Sequence, residues 1–465
     1  MDNYKKEHFL ISESASVKEA LLKIEQNTLG FIITADKKSK VLGLATDGDI
    51  RRALLSGISL EDNICKCANL NFIYAMTDTP REHLIKQLDN KIQFIPMLDD
   101  EHQLVSIATR DHLPIREEEQ VYIRSRAPVR VSFGGGGSDL THYFSEESGV
   151  VVNAAISLYS HATMRVRDDL KISISSLDLN LNINGVNLED ILKDSKELGL
   201  VKSVLKVVSP KFGFDLYLHS DFPVGSGLGG SATLSAAVLG CFNMLRKDQW
   251  DSHELAEIAF VAERLHLGIA GGWQDQYAAV FGGFNFIEFG MEQNVIHPIR
   301  VNPEILMELE ESLILCDTGI SHDSGNIHAD QKQTMSSKLV KAQVRKNVDL
   351  AYKIKNFLLR GKLDEFGKSL DTAWRLKRNF SDMISNEHID LIYDGALKHG
   401  AIGGKLLGAG GGGFFIFYVP PFEKHRLLNF LTAQNLKIQP FRFEPEGLKA
   451  WTSRENKNVK LFKEI

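Results

Sequence analysis

The sequence contains little cysteine, no long apolar segment and no excess of positive charge. Four cysteines among 465 residues form neither a disulfide framework nor a paired metal-ligand pattern. No apolar run reaches the roughly 18 residues that a membrane span needs, and the opening MDNYKKEHFL lacks the apolar core of a signal peptide. A formal net charge of −6 gives no electrostatic basis for binding nucleic acid. These absences favour a cytoplasmic protein without nucleic-acid or membrane partners.

The composition is otherwise that of an ordinary globular protein. Hydrophobic residues make up 43% of the chain and charged residues 25%, which is enough apolar surface for sizeable cores. A chain of this length is expected to form about two to four domains. The domain organisation therefore has to be read from repeats and motifs.

An internal repeat occupies the N-terminal part of the chain. A shift of 63 positions aligns GFIITADKKSKVLGLATDGDI (Gly30–Ile50) with QFIPMLDDEHQLVSIATRDHL (Gln93–Leu113). In each copy, a segment of helical periodicity precedes an apolar strand, a polar turn and a second strand. The two copies are expected to pack as a pseudo-dimer.

The repeat resembles a pair of CBS domains, and this resemblance assigns residues 1–118 to one α/β module. In that family a threonine, and an aspartate three residues later, hold the ribose hydroxyl groups of a nucleotide; Thr46 and Asp49 match them. In the second copy His112 stands at the acidic position, so the resemblance implies at most one complete adenine-nucleotide site. The alternative is a module that only packs against its neighbour or forms a homodimer. Residues 119–125 are predicted to form a charged linker.

The first of three glycine-rich segments follows this linker. In RAPVRVSFGGGGSDL (Arg126–Leu140) an alternating strand leads into four glycines and then Ser138 and Asp139. Glycines at a strand end allow the backbone to approach a ligand closely. The alternative is a tight turn in which Ser138 or Asp139 caps the next helix.

The second segment, PVGSGLGGSATLSAA (Pro223–Ala237), lies between a predicted strand and a predicted helix. This order leaves backbone N–H groups at a helix N-terminus, where they attract phosphate. No Gly-Lys-Ser/Thr closes the segment, so it is not a Walker A loop, and its glycine spacing differs from the Rossmann fingerprint. Read alone, it is equally compatible with a structural turn.

The third segment, GAIGGKLLGAGGGGFFIFY (Gly400–Tyr418), again places glycines before an apolar strand. Between the second and third segments, Glu263 lies at a predicted helix end and Asp275 at a predicted helix start. Two carboxylates in these positions suit a reaction that requires Mg²⁺ and a base near a hydroxyl group. The alternative makes Glu263 part of a surface ion pair and Asp275 a helix cap.

The three segments, in this order, resemble the motifs of the GHMP small-molecule kinases over roughly residues 124–460. The resemblance implies an α+β fold with an N-terminal domain over residues 126–310 and a ferredoxin-like C-terminal domain over residues 311–465. It further implies a left-handed βαβ unit in the N-terminal domain and ATP bound between the two domains.

The resemblance also implies roles for individual residues. Asp275 matches the catalytic aspartate, Arg130 the arginine that holds it ionised, and Glu263 a carboxylate ligand of Mg²⁺. The ATP phosphates are expected to contact Pro223, Gly225, Ser226, Gly227, Gly229, Gly230, Ser231 and Ala232, with Ser231 also contacting Mg²⁺. The substrate is expected to contact Gly136, Gly137, Ser138, Asp139, Gly410 and Gly411, with Asp139 binding sugar hydroxyl groups. Gly230 departs from the pattern, because many members carry serine there.

Within this family the chain most resembles kinases that phosphorylate the anomeric hydroxyl of D-glycero-D-manno-heptose 7-phosphate, for activated-heptose and surface polysaccharide synthesis. Glycines at positions 136 and 137, where galactokinases have Glu-His, leave backbone amides that can receive a sugar phosphate. Further candidate phosphate ligands are Arg375, Lys377, Arg378 and the segment Thr318–His328, in which His322 stands where arginine is expected. The alternatives are an L-fucose or other sugar 1-kinase and a non-catalytic nucleotide-binding regulatory protein.

Overall fold

A computed structural model describes residues 6–89, 91–110, 113, 120–193, 197–320, 327, 330 and 337–455. The chain divides into two compact units, Met1–Glu119 and Gln120–Ile465. None of the helices in the described part of the chain combines the length and the apolar character that crossing a bilayer requires.

The first unit consists of two copies of one small fold. Its strands are β1 (Leu10–Ser12), β2 (Phe31–Ala35), β3 (Val41–Thr46), β4 (Ala75–Met76), β5 (Phe94–Leu98) and β6 (Leu104–Thr109), and its helices are α1 (Val17–Asn27), α2 (Asp47–Leu55) and α3 (Arg81–Gln87). Each copy has a three-stranded sheet, in the orders β1-β2-β3 and β4-β5-β6, with one parallel and one antiparallel pairing.

The repeat predicted from the sequence is confirmed in detail. Strands β5 and β6 fall where the 63-residue shift of β2 and β3 places them, and both hairpins carry an irregularity at the equivalent point. The aligned residues Phe31 and Phe94 stack with ring centroids 3.6 Å apart in one shared core. The two copies therefore pack on each other, as expected for a pseudo-dimer. His112 lies outside the described residues.

The second unit contains two sheets and the helices that cover them. Its strands are β7 (Gln120–Gly134), β8 (Gly149–Val166), β9 (Ile172–Ser176), β10 (Leu181–Gly185), β11 (Phe214–Ser220), β12 (Phe284–Phe289), β13 (Asn294–Pro298), β14 (Leu313–Asp317), β15 (Gly403–Leu406), β16 (Phe414–Tyr418), β17 (Lys437–Ile438) and β18 (Lys449–Glu455). Its helices are α4 (Thr141–Phe144), α5 (Leu188–Lys193), α6 (Gly199–Val208), α7 (Gly230–Asn243), α8 (Ser252–Phe260), α9 (Gln274–Phe281), α10 (Pro303–Ser312), α11 (Lys338–Leu359), α12 (Leu363–Arg378), α13 (Glu387–Lys398) and α14 (Lys424–Ala433).

The larger sheet has eight strands and is covered on both faces. Its order is β10-β9-β11-β8-β12-β13, while β7 pairs along the other side of β8 and β18 pairs with β7. Alternate residues of β8 enter different cores, with Val151 in one and Val150 and Val152 in the other, as the pleat of a strand requires. Strands β9 and β11 pair in parallel, with α5 and α6 in the connection between them. This connection forms the βαβ unit; its left-handed sense stays a prediction.

The smaller sheet is antiparallel and has the order β15-β16-β14-β17. With α11 to α13 after β14 and α14 after β16, this is a βαββαβ arrangement with additional helices, which confirms the ferredoxin-like C-terminal fold.

The structure departs from the predicted domain boundaries at two places. Strand β7 already begins at Gln120, so residues 120–125 belong to the large sheet rather than to the predicted linker. Strand β18 pairs with β7, so the end of the predicted C-terminal domain 311–465 returns to the N-terminal sheet. The first residues of β7 form backbone hydrogen bonds with β8 on one side and with β18 on the other, and the pairing with β18 accounts for the second departure.

Candidate active site

The second and third glycine-rich segments meet in direct backbone contact. Gly227 and Gly408 have φ angles of +73° and +68°, and a Cβ on Gly408 would lie 2.5 Å from the Cα of Gly227. The Phe414 N–H donates to the carbonyl of Ser226 at 3.1 Å. Only residues without a side chain fit this contact, which explains glycine at both positions.

The second segment ends in a helix N-terminus that has no side-chain cap. Strand β11 ends at Ser220, and α7 begins at Gly230 after Gly229 in the left-handed conformation. Because no side chain caps the helix, its first N–H groups are left to a ligand. Ser231 lies half-buried in the first turn of the same helix. This geometry is the strand, loop and helix arrangement predicted for a phosphate site.

The departure at Gly230 has a steric reason. A Cβ on Gly230 would lie 2.6 Å from the buried ring of Phe222. We expect Gly230→Ser to lower the free energy of unfolding by about 1–3 kcal/mol, because the ring has to move. Thermal unfolding measures this effect. The double variant Gly230→Ser/Phe222→Leu is the control and should recover part of the loss; a single variant as stable as the wild type would contradict the explanation.

Arg130 joins the predicted catalytic aspartate to the glycine segment. Its Nε donates to Asp275 Oδ1 at 2.8 Å, and one terminal nitrogen donates to the Gly227 carbonyl at 2.7 Å. The Arg130 side chain is 4% exposed and that of Asp275 is 23% exposed. Asp275 lies in the first turn of α9, against the backbone of Gly229. The structure thus brings together three residues that are far apart in the sequence.

Asp139 forms the other side of the same recess. Its carboxylate accepts hydrogen bonds from the N–H groups of Gly137, at 3.1 Å, and Gln274, at 3.4 Å. Burial, and then the nearby Asp275, raise the pKa of Asp139 above its ordinary value. A Cβ at Gly272 would lie 1.8 Å from this carboxylate, so glycine is required where the chain passes it.

Glu263 lies in a π-helical turn, Val261–His266, that continues α8. Its side chain is buried and forms an ion pair with Arg264 at 3.3 Å, and its Oε2 accepts a hydrogen bond from Gln276 at 2.7 Å. The Oε1 atom of Gln276 is buried and has no hydrogen-bond partner among the described residues. Glu263 is therefore a buried carboxylate beside an unsatisfied oxygen, rather than part of the surface ion pair of the alternative reading.

These oxygens suit a divalent cation. Mg²⁺ takes oxygen ligands, usually one or two from the protein, and completes its coordination with water and substrate phosphates. The Glu263 carboxylate, the unsatisfied Gln276 oxygen and the Ser231 hydroxyl are all of this type. The donor chemistry therefore fits the metal that the sequence resemblance implies.

A pair of lysines lines the recess, and sequence reasoning missed one of them. The recess is lined by Arg130, Ser132, Gly136, Gly137, Asp139, Gly272, Gln274, Asp275, Asn347, Lys377, Phe380, Lys405 and Gly408. Lys377, in α12, donates to the carbonyls of Leu406 and Gly408 and so holds the third segment. Lys405, in β15, is 4% exposed. The available signal was a single lysine between glycines and leucines in GGKLLG of the third segment, because lysine is rarely buried without a partner.

The predicted substrate residues divide into two groups. Gly136, Gly137 and Asp139 line the recess, and Gly136 has open space where a Cβ would stand. Ser138 does not line it: its hydroxyl is fully buried and hydrogen-bonds the backbone of Gly135 and Val150, so its role is structural.

In the third segment Gly408 reaches the recess instead of the predicted Gly410 and Gly411. Gly410 packs against Ile384, and the Gly411 N–H donates to the Ile384 carbonyl. These two glycines therefore contact Ile384 and do not line the recess.

Of the candidate phosphate ligands that the structure describes, Lys377 alone lines the recess. Arg375 is largely exposed and pairs with Asp371, and Arg378 pairs with Asp390, so both guanidinium groups have partners elsewhere. The segment Thr318–His328 falls mainly outside the described residues, His322 included.

In the first unit, Thr46 and Asp49 form a capping box at the start of α2. The Thr46 hydroxyl accepts from the Asp49 N–H at 3.1 Å, and Asp49 Oδ2 accepts from the Thr46 N–H at 2.9 Å. These bonds satisfy two N–H groups of the helix start. The nucleotide role of this pair stays a prediction.

Comparison with known proteins gives three domain matches. The GHMP kinases N terminal domain matches residues 199–283, and the GHMP kinases C terminal domain matches residues 354–436. The CBS domain matches residues 5–56, which is the first copy of the repeat.

Individual relatives match about two thirds or more of the chain. The D-glycero-alpha-D-manno-heptose 7-phosphate kinase of Campylobacter jejuni is 37% identical over 335 residues, or 71% of this chain and 98% of that protein. A crystal structure of a D-glycero-D-manno-heptose 1-phosphate kinase from Bacteroides thetaiotaomicron is 29% identical, with a TM-score of 0.59, and covers 71% of this chain and 98% of its own. The bifunctional fucokinase/GDP-fucose pyrophosphorylase of Arabidopsis thaliana is 30% identical over 65% of this chain and 30% of its own.

Proposed function

The chain belongs to the GHMP kinases and is a carbohydrate kinase, and on this premise we propose that it transfers the γ-phosphoryl group of ATP to the anomeric hydroxyl of D-glycero-D-manno-heptose 7-phosphate. The product would be the 1,7-bisphosphate. One observation carries the assignment of the reaction centre: Arg130 donates to both Asp275 and the Gly227 carbonyl. The base and the phosphate segment are thus held by a single buried side chain.

In this proposal the second glycine-rich segment, Pro223–Ala237, binds the ATP phosphates. The uncapped start of α7 offers N–H groups and the positive end of the helix dipole, which favour an anion. Positioning and charge neutralisation account for most of the catalysis in phosphoryl transfer. A loop without lysine can therefore still hold the ATP phosphates for transfer.

Asp275 orients the acceptor hydroxyl and accepts its proton. Its Oδ1 is held by Arg130, which fixes the position of the carboxylate. The proton leaves as the hydroxyl oxygen bonds to phosphorus, when that oxygen has become acidic, so a carboxylate is a sufficient base.

The Ser231 hydroxyl and the Glu263 carboxylate are the groups that would hold Mg²⁺, and the Gln276 amide that donates to Glu263 has an unsatisfied oxygen. When bound, the metal neutralises charge on the ATP phosphates. The contacts of Glu263 with Arg264 and Gln276 keep its carboxylate at this place.

The acceptor occupies the recess between Asp139 and Gly136. Asp139 is held by two backbone N–H groups and can accept hydrogen bonds from sugar hydroxyl groups. Gly136 leaves open space at the rim, where a Glu-His pair would bring a carboxylate that repels a phosphorylated sugar. The similarity to the Campylobacter jejuni heptose 7-phosphate kinase over 98% of that protein supports this acceptor.

A panel of sugars tests the proposal. The purified full chain is incubated with ATP, with and without Mg²⁺, and with D-glycero-D-manno-heptose 7-phosphate, L-fucose or D-galactose, and ADP release is measured. We expect Mg²⁺-dependent ADP release with the heptose phosphate at least tenfold faster than with the others. Faster release with L-fucose would replace the proposed acceptor, and no release with any sugar would contradict the proposed reaction.

A further inference from the structure

We propose that Lys405 is a catalytic residue that contacts the phosphoryl group during its transfer. It would supply the positive charge that the second glycine-rich segment, Pro223–Ala237, lacks. This inference rests on the proposed function. It concerns a residue of β15, within the third glycine-rich segment, that lies far from the second segment (Pro223–Ala237) in the sequence but close to it in the fold.

The backbone contacts bring Lys405 to the point of transfer. Gly408, three residues further along, abuts Gly227 of the phosphate segment, and a Cβ on Gly227 would lie 2.9 Å from the carbonyl oxygen of Leu407. Lys405 lines the same recess as Arg130 and Asp275. Since Arg130 spans from the phosphate segment to the base, the recess beside it is where the phosphoryl group has to pass.

Among the cations lining the recess, Lys405 is the one whose donors are unused. Arg130 donates to Asp275 and Gly227, and Lys377 donates to two carbonyls. In the described part of the chain no group accepts a hydrogen bond from the Lys405 ammonium, although the side chain is 96% buried. A largely buried lysine that lines the recess without a hydrogen-bond partner is suited to an anion that arrives from outside.

The electrostatic surroundings agree with this geometry. Burial, and then the nearby Arg130, lower the pKa of Lys405 to about 7, while Asp139 opposes the shift. Lys377, beside it, also has its pKa lowered, chiefly by burial. An incoming phosphoryl group would favour the charged form of Lys405, and its three N–H donors could follow the oxygens as charge develops on them.

Replacement by methionine gives the main test. We expect Lys405→Met to lower kcat by about 100- to 1000-fold, as the loss of a transition-state donor does. The melting temperature should not fall, because a buried charge gives way to an apolar chain of similar length. Lys202→Met, at a buried lysine of α6, is the matched control and should keep kcat within about threefold. An unchanged kcat in Lys405→Met would overturn the proposal.

Nucleotide affinity tests the proposed role of Lys405 separately from the proposed sugar kinase activity. By calorimetry, Lys405→Met should weaken binding of a non-hydrolysable ATP analogue about tenfold and leave ADP binding unchanged, since ADP lacks the transferred group. Equal loss for both nucleotides, or a lowered melting temperature with an unchanged affinity ratio, would indicate a structural role and overturn the proposal. This ratio is measured without a sugar, so it remains informative even if the panel finds no acceptor.

The pH dependence gives a test specific to lysine. With Lys405 charged below its pKa of about 7, kcat/KM of the wild type should fall as the pH rises above that value. The charged and titratable groups facing it are Arg130 of β7, Asp139, Asp275 of α9 and Lys377 of α12. Lys405→Arg keeps its charge, so the ratio of wild-type to variant kcat/KM should fall between pH 7 and 9. A constant ratio, or an arginine variant no more active than Lys405→Met, would overturn the proposal.

Discussion

Asp275→Asn is expected to lower kcat by about three orders of magnitude, the largest loss for any single side chain of the site. The amide has nearly the shape of the carboxylate but cannot accept the proton of the acceptor hydroxyl. Its oxygen can still accept the Arg130 hydrogen bond that is 2.8 Å long in the wild type, so the site should keep its form. Steady-state rates measure kcat, and calorimetry should show ADP affinity within about threefold of the wild type.

The control for this variant is an aspartate away from the site. Asp248 is 83% exposed on its side chain and pairs with Arg246 at the surface, so Asp248→Asn should leave kcat unchanged. An Asp275→Asn enzyme with more than about a tenth of the wild-type kcat would show that another group takes the proton.

Gly408→Ala is expected to lower both stability and activity. The added Cβ would lie 2.5 Å from the Cα of Gly227, and the φ angle of +68° itself disfavours alanine. We expect the free energy of unfolding to fall by about 3 kcal/mol, from overpacking and backbone strain together, and kcat to fall by about 100-fold, because the phosphate segment is displaced. Urea unfolding and steady-state rates measure the two effects.

A variant at a second glycine separates the effect of backbone strain from the effect of steric overlap. Gly30 has a φ angle of +75° but no heavy atom within 4 Å of a Cβ at that position. Gly30→Ala should therefore cost only about 1–2 kcal/mol and leave kcat unchanged. If Gly408→Ala cost no more than Gly30→Ala and kept full activity, the contact between the two glycine segments would have no functional importance.

Local patterns in the sequence predicted the repeat and the glycine segments well. Apolar alternation and the repeated motif placed β2, β3, β5 and β6, because a strand's side-chain period is visible in a few residues. Asp275 and Arg130 came from motif resemblance, and the structure places them in direct contact.

Features that depend on distant contacts were not predictable in this way. The pairing of β7 with β18 joins opposite ends of the second unit and leaves no local trace in either strand. Ser138 was assigned to the substrate because its motif resembles that of the kinase family, but its bonds to Gly135 and Val150 form only once β8 is in place. Lys405 was missed for a related reason: its motif is defined by the glycines that follow it, and its partners come from other elements.

In the proposed function, this active site phosphorylates a sugar at the anomeric carbon. The most direct measurement is ³¹P and ¹H nuclear magnetic resonance of the product formed from ATP, Mg²⁺ and D-glycero-D-manno-heptose 7-phosphate. We predict a second phosphate whose phosphorus couples to the anomeric proton, in amounts equal to the ADP released. A new phosphate on any other oxygen, or ADP formed with only inorganic phosphate, would contradict the proposed function.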